Sequence, residues 1–230
     1  KVYRPIVYHQ KYLYCTITLH ITSISFLLPN RLIFFEEEII MSGTVAISQS
    51  VTLGAGCYWG TEKYVKKDFQ NKFPNSVKSA SVGFMSPDPN TALTSPTYNQ
   101  VCSGETGFVE VLQVELNDAE TNFEELIKFF FQFHDPTTED RQVNDAGTQY
   151  ASVIFVFDDE QERIVTNIIS QLQSDLDKSK KNPYEFDKIA TKVWKATEFH
   201  PAHEAHQEYL MKNPTGYCNH RFRFKDWPLN

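Results

Sequence analysis

Val51-Thr52-Leu53-Gly54-Ala55-Gly56-Cys57-Tyr58-Trp59-Gly60 runs from a short apolar segment through a glycine-flanked cysteine into an amphipathic one. Val51 to Gly54 reads as a buried strand ended by glycine. From Tyr58 onward, Tyr58, Glu62, Val65 and Phe69 recur at helical spacing, so Cys57 is expected at a helix N-terminus. A thiolate is the reactive form of cysteine, and the free N–H groups of a helix start favour it. The glycines on either side let another molecule approach the backbone closely. Tyr58 and Trp59 set two aromatic faces beside the sulfur. The competing reading is a buried structural cysteine, a common fate for a free thiol. Cys57 is the candidate nucleophile of a thiol-dependent enzyme.

Outward from this turn, strands are expected over 77–84, 108–116 and 152–157. A proline-bearing loop is expected over 86–96. Thr121-Asn122-Phe123-Glu124 has the form of a capping box. Behind it Phe123, Leu126, Ile127, Phe130 and Phe131 make a helical apolar stripe. Further helices are expected over 160–176 and 202–211, with an irregular tail from Asn213. Strands mixed with helices, without strict alternation, indicate an α+β two-layer domain.

The 230 residues suit one domain, and 41% hydrophobic with 22% charged residues is ordinary for a soluble protein. A net charge of −7 argues against a nucleic-acid or anionic-membrane partner. The four cysteines, Cys15, Cys57, Cys102 and Cys218, contain no C-x-x-C pair. That excludes the common zinc and thioredoxin-type signatures and gives no disulfide scaffold. A reducing compartment, the cytoplasm, is the default. Residues 1–40 differ from the rest: they contain no glycine and hold no period. His20, Pro29, Asn30 and Arg31 interrupt their apolar stretch, against a membrane span, and no small-residue cleavage site is evident. Met41-Ser42-Gly43-Thr44 looks like a start. The expectation is a catalytic domain over 41–230, preceded by an upstream extension that is disordered or a gene-model artefact.

Other positions carry chemistry. Phe108, Glu110, Leu112, Val114 and Leu116 share one strand face, and Glu110 is its only ionisable member. An acid there is expected to have a raised pKa and to act as a general acid, unless that face meets solvent at an edge. Cys218, in the turn-rich Asn213-Pro214-Thr215-Gly216-Tyr217-Cys218, could reach Cys57 as a disulfide partner. Cys102 is expected to pack structurally. Tyr98, Asp145 and Tyr150 are polar residues near strand ends, where a tyrosine hydroxyl can donate to a substrate oxygen. His200, His203, Glu204 and His206 cluster, but His203-Glu204-Ala205-His206 is one residue short of a metalloprotease helix. A Cys57–His pair, as in thiol hydrolases, is the main rival chemistry. A catalytically dead relative kept as a binding module is another.

Together these segments resemble the methionine sulfoxide reductase A family. Gly56-Cys57-Tyr58-Trp59-Gly60 is similar to its Gly-Cys-Phe-Trp-Gly. Further matches are Pro96-Thr97-Tyr98, Val101-Cys102-Ser103-Gly104 and Thr106-Gly107-Phe108-Val109-Glu110. Phe130-Phe131 with His134-Asp135-Pro136-Thr137-Thr138 follows in order, then Asn144-Asp145-Ala146-Gly147-Thr148-Gln149-Tyr150. His206-Gln207, Tyr209-Leu210 and the segment ending at Cys218 complete the series.

The resemblance implies a two-layer α/β sandwich related to the split β-α-β (ferredoxin-like) plan, with a mixed sheet. It implies reduction of peptidyl, and also free, methionine-S-sulfoxide in protein repair under oxidative stress. Cys57 would attack the sulfoxide sulfur and Glu110 would protonate its oxygen, helped by Tyr98 and Tyr150, with Asp145 organising the network. Tyr58 and Trp59 would hold the S-methyl group. Cys57 would be left as a sulfenic acid and form a disulfide with Cys218, which thioredoxin would reduce (or dithiothreitol in vitro). No bound cofactor or metal, no nucleic acid, no membrane and a monomer are implied. Among the departures, Tyr58 replaces Phe, Phe108 stands where His is common, Gly83-Phe84-Met85 is a reduced form of a longer glycine motif, and no second, recycling cysteine follows Cys218.

Overall fold

In the computed structural model, residues 46–229 are described. The expectations for residues 1–40 fall outside them. β1 (Ser50–Ala55) leads into α1 (Tyr58–Lys63), which continues through a π-helical stretch, Tyr64–Phe69, into α2 (Gln70–Lys72). Then come β2 (Val77–Met85), α3 (Tyr98–Cys102), β3 (Val109–Leu116), α4 (Ala119–Phe133), β4 (Arg141–Gln142) and β5 (Asp145–Ala146). β6 (Ser152–Val156), α5 (Asp159–Lys178), β7 (Lys192–Lys195), β8 (Phe199–Pro201) and α6 (Tyr209–Lys212) complete the chain.

Six strands form one sheet in the order β7-β6-β1-β3-β2-β8. Only β6 and β7 run parallel; the other pairs are antiparallel. The sheet is therefore mixed, and the α+β reading holds. β7 and β8 were not anticipated. They are short edge strands, four and three residues long, whose side chains are half-buried or exposed and give little apolar alternation.

Period-two alternation divides the sheet's faces. Leu112, Val114 and Leu116 of β3 join Leu53, Phe84 and Ile154 in the main core, under Phe123, Leu126, Ile127 and Phe130 of α4 and Val165 and Leu172 of α5. Val109, Val111, Val153 and Phe155 face the other way, into a smaller cluster with Met85, Trp194 and Phe199. The predicted stripe of α4 is the buried one. Its start lies earlier than expected: Asp118 is the N-cap, and its side chain accepts the Thr121 N–H at 3.3 Å. Asp118 takes that role because its side chain meets the orphan N–H three residues on. A capping box does occur, unanticipated, at Thr97 with Gln100, starting α3.

The helix expected over 202–211 is broken. A 3-10 turn, Glu204–His206, and α6 are separated at Glu208, whose φ is +57°. Two tertiary contacts outweigh helical continuity there. The Gln207 amide pairs with the Val82 N–H at 2.9 Å and the Val82 carbonyl at 2.8 Å. The Glu208 N–H donates to buried Glu62 at 2.7 Å.

The tail beyond Asn213 is irregular but anchored. Asp135 and Arg223 form an ion pair at 3.2 Å with side chains only 3% and 6% exposed. Asp135 also accepts the N–H groups of Thr137 and Glu185, each at 3.0 Å. Truncating Asp135 leaves the buried Arg223 guanidinium and the buried Thr137 N–H without their partner. Asp135→Ala is expected to lower stability by about 3–5 kcal/mol, measured as a fall in the urea unfolding midpoint at unchanged slope.

Candidate active site

The β1–α1 turn places the nucleophile candidate. Gly56 has φ +77°, and a Cβ there would come within 2.6 Å of Gln142 Cβ, so this turn requires glycine. Cys57 follows as the N-cap of α1, with the backbone leaving the strand direction. β1 and β3 pair with Leu53 opposite Leu112. Two residues further in the same register, Glu110 comes level with Ala55, beside the turn. The Tyr58 N–H donates to Glu110 Oε2 at 3.2 Å.

Glu110 is 1% exposed, on the main-core face, as its strand period indicated. Burial pushes its carboxyl up to about 8, against the Tyr58 N–H, which favours the carboxylate. Glu110 is therefore a neutral acid at pH 7. The thiol of Cys57 departs from expectation. Its pKa is raised, not lowered: burial is the largest cause and the Glu110 carboxyl the next, while the Trp59 N–H opposes them. One helix start does not offset the loss of water around the sulfur. Cys57 rests as a thiol.

The other candidates converge on this pair. Tyr98 and Tyr150 both feel the Glu110 carboxyl, and both hydroxyls are shifted up, first by burial. Asp145 accepts the Tyr217 hydroxyl at 3.1 Å and the Asn219 amide at 2.8 Å, and its carboxylate also faces the Cys57 N–H. Burial, the largest influence, raises its pKa. Cys218 is half-buried, near enough to Cys57 for their charges to interact. The cysteines 57, 102 and 218 are all free thiols.

Tyr58 and Trp59 form an aromatic wall. The Tyr58 ring is 1% exposed, 5.9 Å from Phe84, and its hydroxyl has no hydrogen-bond partner within the protein. Trp59 stacks on Tyr209 at 3.9 Å between centroids and on His206 at 5.7 Å. His206 also stacks on Tyr98 at 4.6 Å. His206 and Tyr209 thus belong to the site, and sequence reasoning assigned neither a role there. Their signal was present: three residues apart, they can share one side of a turn. Among the described residues no group of His, Cys, Asp and Glu is arranged to hold a metal ion.

Cys102 corrects another expectation. It is half-buried and outside both core clusters, near enough to Tyr98, Tyr150 and Glu110 for each to influence its thiol. The spacing explains part of this, because Tyr98 and Cys102 are four apart in α3 and share a face. The histidine found beside a thiol is His220, and it meets Cys218 rather than Cys57.

A thiol and a neutral buried acid at the β1–α1 turn, with a second thiol near them in the tail, define a thiol-dependent oxidoreductase rather than a Cys–His hydrolase. A family described as peptide methionine sulfoxide reductase matches residues 49–228. The chain belongs to this family, and its activity is that of a peptide-methionine (S)-S-oxide reductase. It is 38% identical over 174 residues to a peptide methionine sulfoxide reductase MsrA of Mycoplasma genitalium, covering 76% of this chain and 99% of that one. It is 40% identical over 171 residues to one from Pseudomonas aeruginosa, covering 74% and 72%. Among solved structures, reduced Mxr1 from Saccharomyces cerevisiae aligns with a TM-score of 0.65 and 33% identity, over 77% of this chain and 93% of that one. Methionine sulfoxide reductase A of Corynebacterium diphtheriae aligns at 0.53 and 32%, over 74% and 77%.

Burial of Glu110 has a thermodynamic signature. Its folded pKa of about 8 lies above the ordinary 4.5, so between those values the folded state holds the proton that the unfolded state releases. Its contribution to stability therefore declines as pH rises from 4.5 to 8. Glu110→Gln is expected to flatten that decline in unfolding free energies measured across the window.

Proposed function

We propose that Cys57 is the nucleophile and Glu110 the acid in the reduction of methionine sulfoxide. The supporting observation is the neutral carboxyl of Glu110, buried beside Cys57 and held by the Tyr58 N–H at 3.2 Å. A sulfoxide sulfur is a poor electrophile until its oxygen is protonated. A neutral acid supplies that proton, and being uncharged it does not oppose a developing thiolate.

The raised pKa of Cys57 suits a concerted step. Glu110 gives its proton to the sulfoxide oxygen as the Cys57 sulfur bonds to the sulfoxide sulfur. The thiol proton passes to the Glu110 carboxylate, which is thereby restored. Transfer of the hydroxyl to Cys57 releases methionine and leaves the sulfenic acid. One thiol and one sulfoxide become one sulfenic acid and one thioether. Tyr98 and Tyr150 donate to the oxygen alongside Glu110, and Asp145 fixes the Cys57 N–H. Tyr58 and Trp59 receive the S-methyl group.

Cys218 then attacks the sulfenic acid, giving a Cys57–Cys218 disulfide and water. Thioredoxin reduces that bond, and neither a metal nor a bound cofactor takes part. The protein acts as a monomer in the cytoplasm, on oxidised proteins and on free methionine sulfoxide. Its chemistry needs reduced thiols, and no helix among the described residues is long and apolar enough to cross a membrane.

With dithiothreitol, the S epimer of a methionine sulfoxide peptide is expected to be reduced and the R epimer left. Glu110→Gln is expected to lower kcat/KM by about 10²–10⁴, and Cys57→Ser to abolish turnover. Cys218→Ser should release one methionine per enzyme yet lose thioredoxin-dependent turnover. Unchanged steady-state turnover with thioredoxin would remove Cys218 from the cycle.

A further inference from the structure

The C-terminal segment brings a second histidine-and-thiol contact that the proposed chemistry of Cys57 does not use. His220 is 9% exposed, and its Nε2 lies 2.7 Å from the Ala55 carbonyl oxygen. A carbonyl oxygen can only accept, so Nε2 carries the hydrogen. Nδ1 is therefore left with a bare lone pair, and it faces Cys218 Sγ at 4.0 Å, the outer edge of a thiol hydrogen bond.

The ring cannot turn away. A Cβ at Gly60 would come within 1.9 Å of Nδ1, so the imidazole sits where α1 leaves out a side chain. Phe133 and Tyr64 flank it at 5.5 and 6.1 Å between centroids, and the Tyr64 hydroxyl donates to the His220 carbonyl at 3.3 Å. The groups that could alter its charge are Lys63 of α1, Arg223 of the tail, and His134 after α4. Burial brings the His220 pKa down to about 4; Arg223 and Lys63 act the same way, and the Ala55 contact opposes them. His134 is itself held down to about 3 by burial. His220 is thus neutral, with its tautomer fixed, throughout the physiological range.

We propose that His220 is the general base of the resolving step, taking the Cys218 proton on Nδ1 as the sulfur attacks Cys57. The proposal rests on the Cys57–Cys218 pairing argued above. The Cys218–Cys57 S–S bond forms and the Cys57 S–O bond breaks. The Cys218 sulfur is oxidised and the sulfenic sulfur reduced, two electrons in all. The oxygen leaves as water, with Glu110 supplying the proton; the imidazolium returns its own to the Glu110 carboxylate through solvent. One thiol and one sulfenic acid become one disulfide and one water. A base this weak accepts the proton only as the S–S bond forms.

The experiment mixes reduced enzyme with one equivalent of a methionine-S-sulfoxide peptide, without reductant. Rapid quenching follows methionine release, which consumes the Cys57 thiol, and the later loss of the Cys218 thiol. In the wild type, the rate of thiol loss is expected to change less than about threefold between about pH 5.5 and 7.5. An attack that drew on a small preformed thiolate fraction would accelerate about 100-fold over that range. His220→Gln keeps an amide donor for the Ala55 carbonyl but has no base at the Nδ1 position. It is expected to release methionine with full amplitude, then lose the Cys218 thiol about 100-fold more slowly and with a steep pH dependence. A His220→Gln enzyme with no added lag overturns the proposal. So does a wild-type rate that climbs tenfold per pH unit, and this second criterion stands even if the variant fails to fold. Peptide mapping separates the two claims: methionine release without a Cys57–Cys218 disulfide would overturn the pairing itself.

Discussion

The hydrogen bond from the Tyr58 N–H to Glu110 joins the first turn of α1 to the middle of the sheet, and the site depends on it. A carboxyl on the core face of β3 would find no polar partner among Leu112, Val114 and Phe84. The orphan N–H at the helix start gives it one. The same bond sets the distance between acid and thiol, because Cys57 is the residue before the donor. Burial keeps Glu110 protonated, while one weak backbone donor prevents the carboxyl from being wholly unpartnered.

Burial acts on thiol and acid in the same direction, and this decides the order of events. Were Cys57 a standing thiolate next to a carboxyl, the two would favour opposite protonation states at one pH. With both raised, the resting site is uncharged at this pair; in the proposed reaction charge develops only when a sulfoxide oxygen arrives to share it. Cys102 adds to this neutrality. Its pKa is raised by burial first and by the Glu110 carboxyl as well, with Tyr98 and Tyr150 acting the other way.

The sequence patterns that survived in the structure were local and periodic. Glu110 could be read from the two-residue period of β3, and the turn at Cys57 from glycines that the backbone geometry requires. The α4 stripe was legible because five apolar side chains keep one helical face. What could not be read depended on partners far along the chain. The lowered pKa expected for Cys57 assumed a helix start in water, and only the fold shows how little water reaches it. The helix expected over 202–211 has good local periodicity, but Gln207 pairs with Val82, 125 positions away, and the chain bends to allow it. Cys102 looked like a filler between Val101 and Ser103, but α3 sets it on one face with Tyr98, outside both core clusters.

The irregular tail shows how order can be maintained without regular structure. Segments with few backbone bonds of their own need side-chain anchors to stay ordered. Here the anchors are Arg223 on Asp135, His220 on Ala55 and Asn219 on Asp145. They bracket Cys218 closely, yet the Cys218 side chain itself is only half-buried and carries no strong bond. Such a design fixes the segment while leaving the Cys218 sulfur without a strong bond of its own, as the proposed attack on Cys57 requires. It also gives His220 a reason to be buried that structure alone would satisfy, its bond to Ala55. The direction of the other ring nitrogen is not required by that bond, and it points at the Cys218 sulfur, the atom that loses a proton in the proposed resolving step.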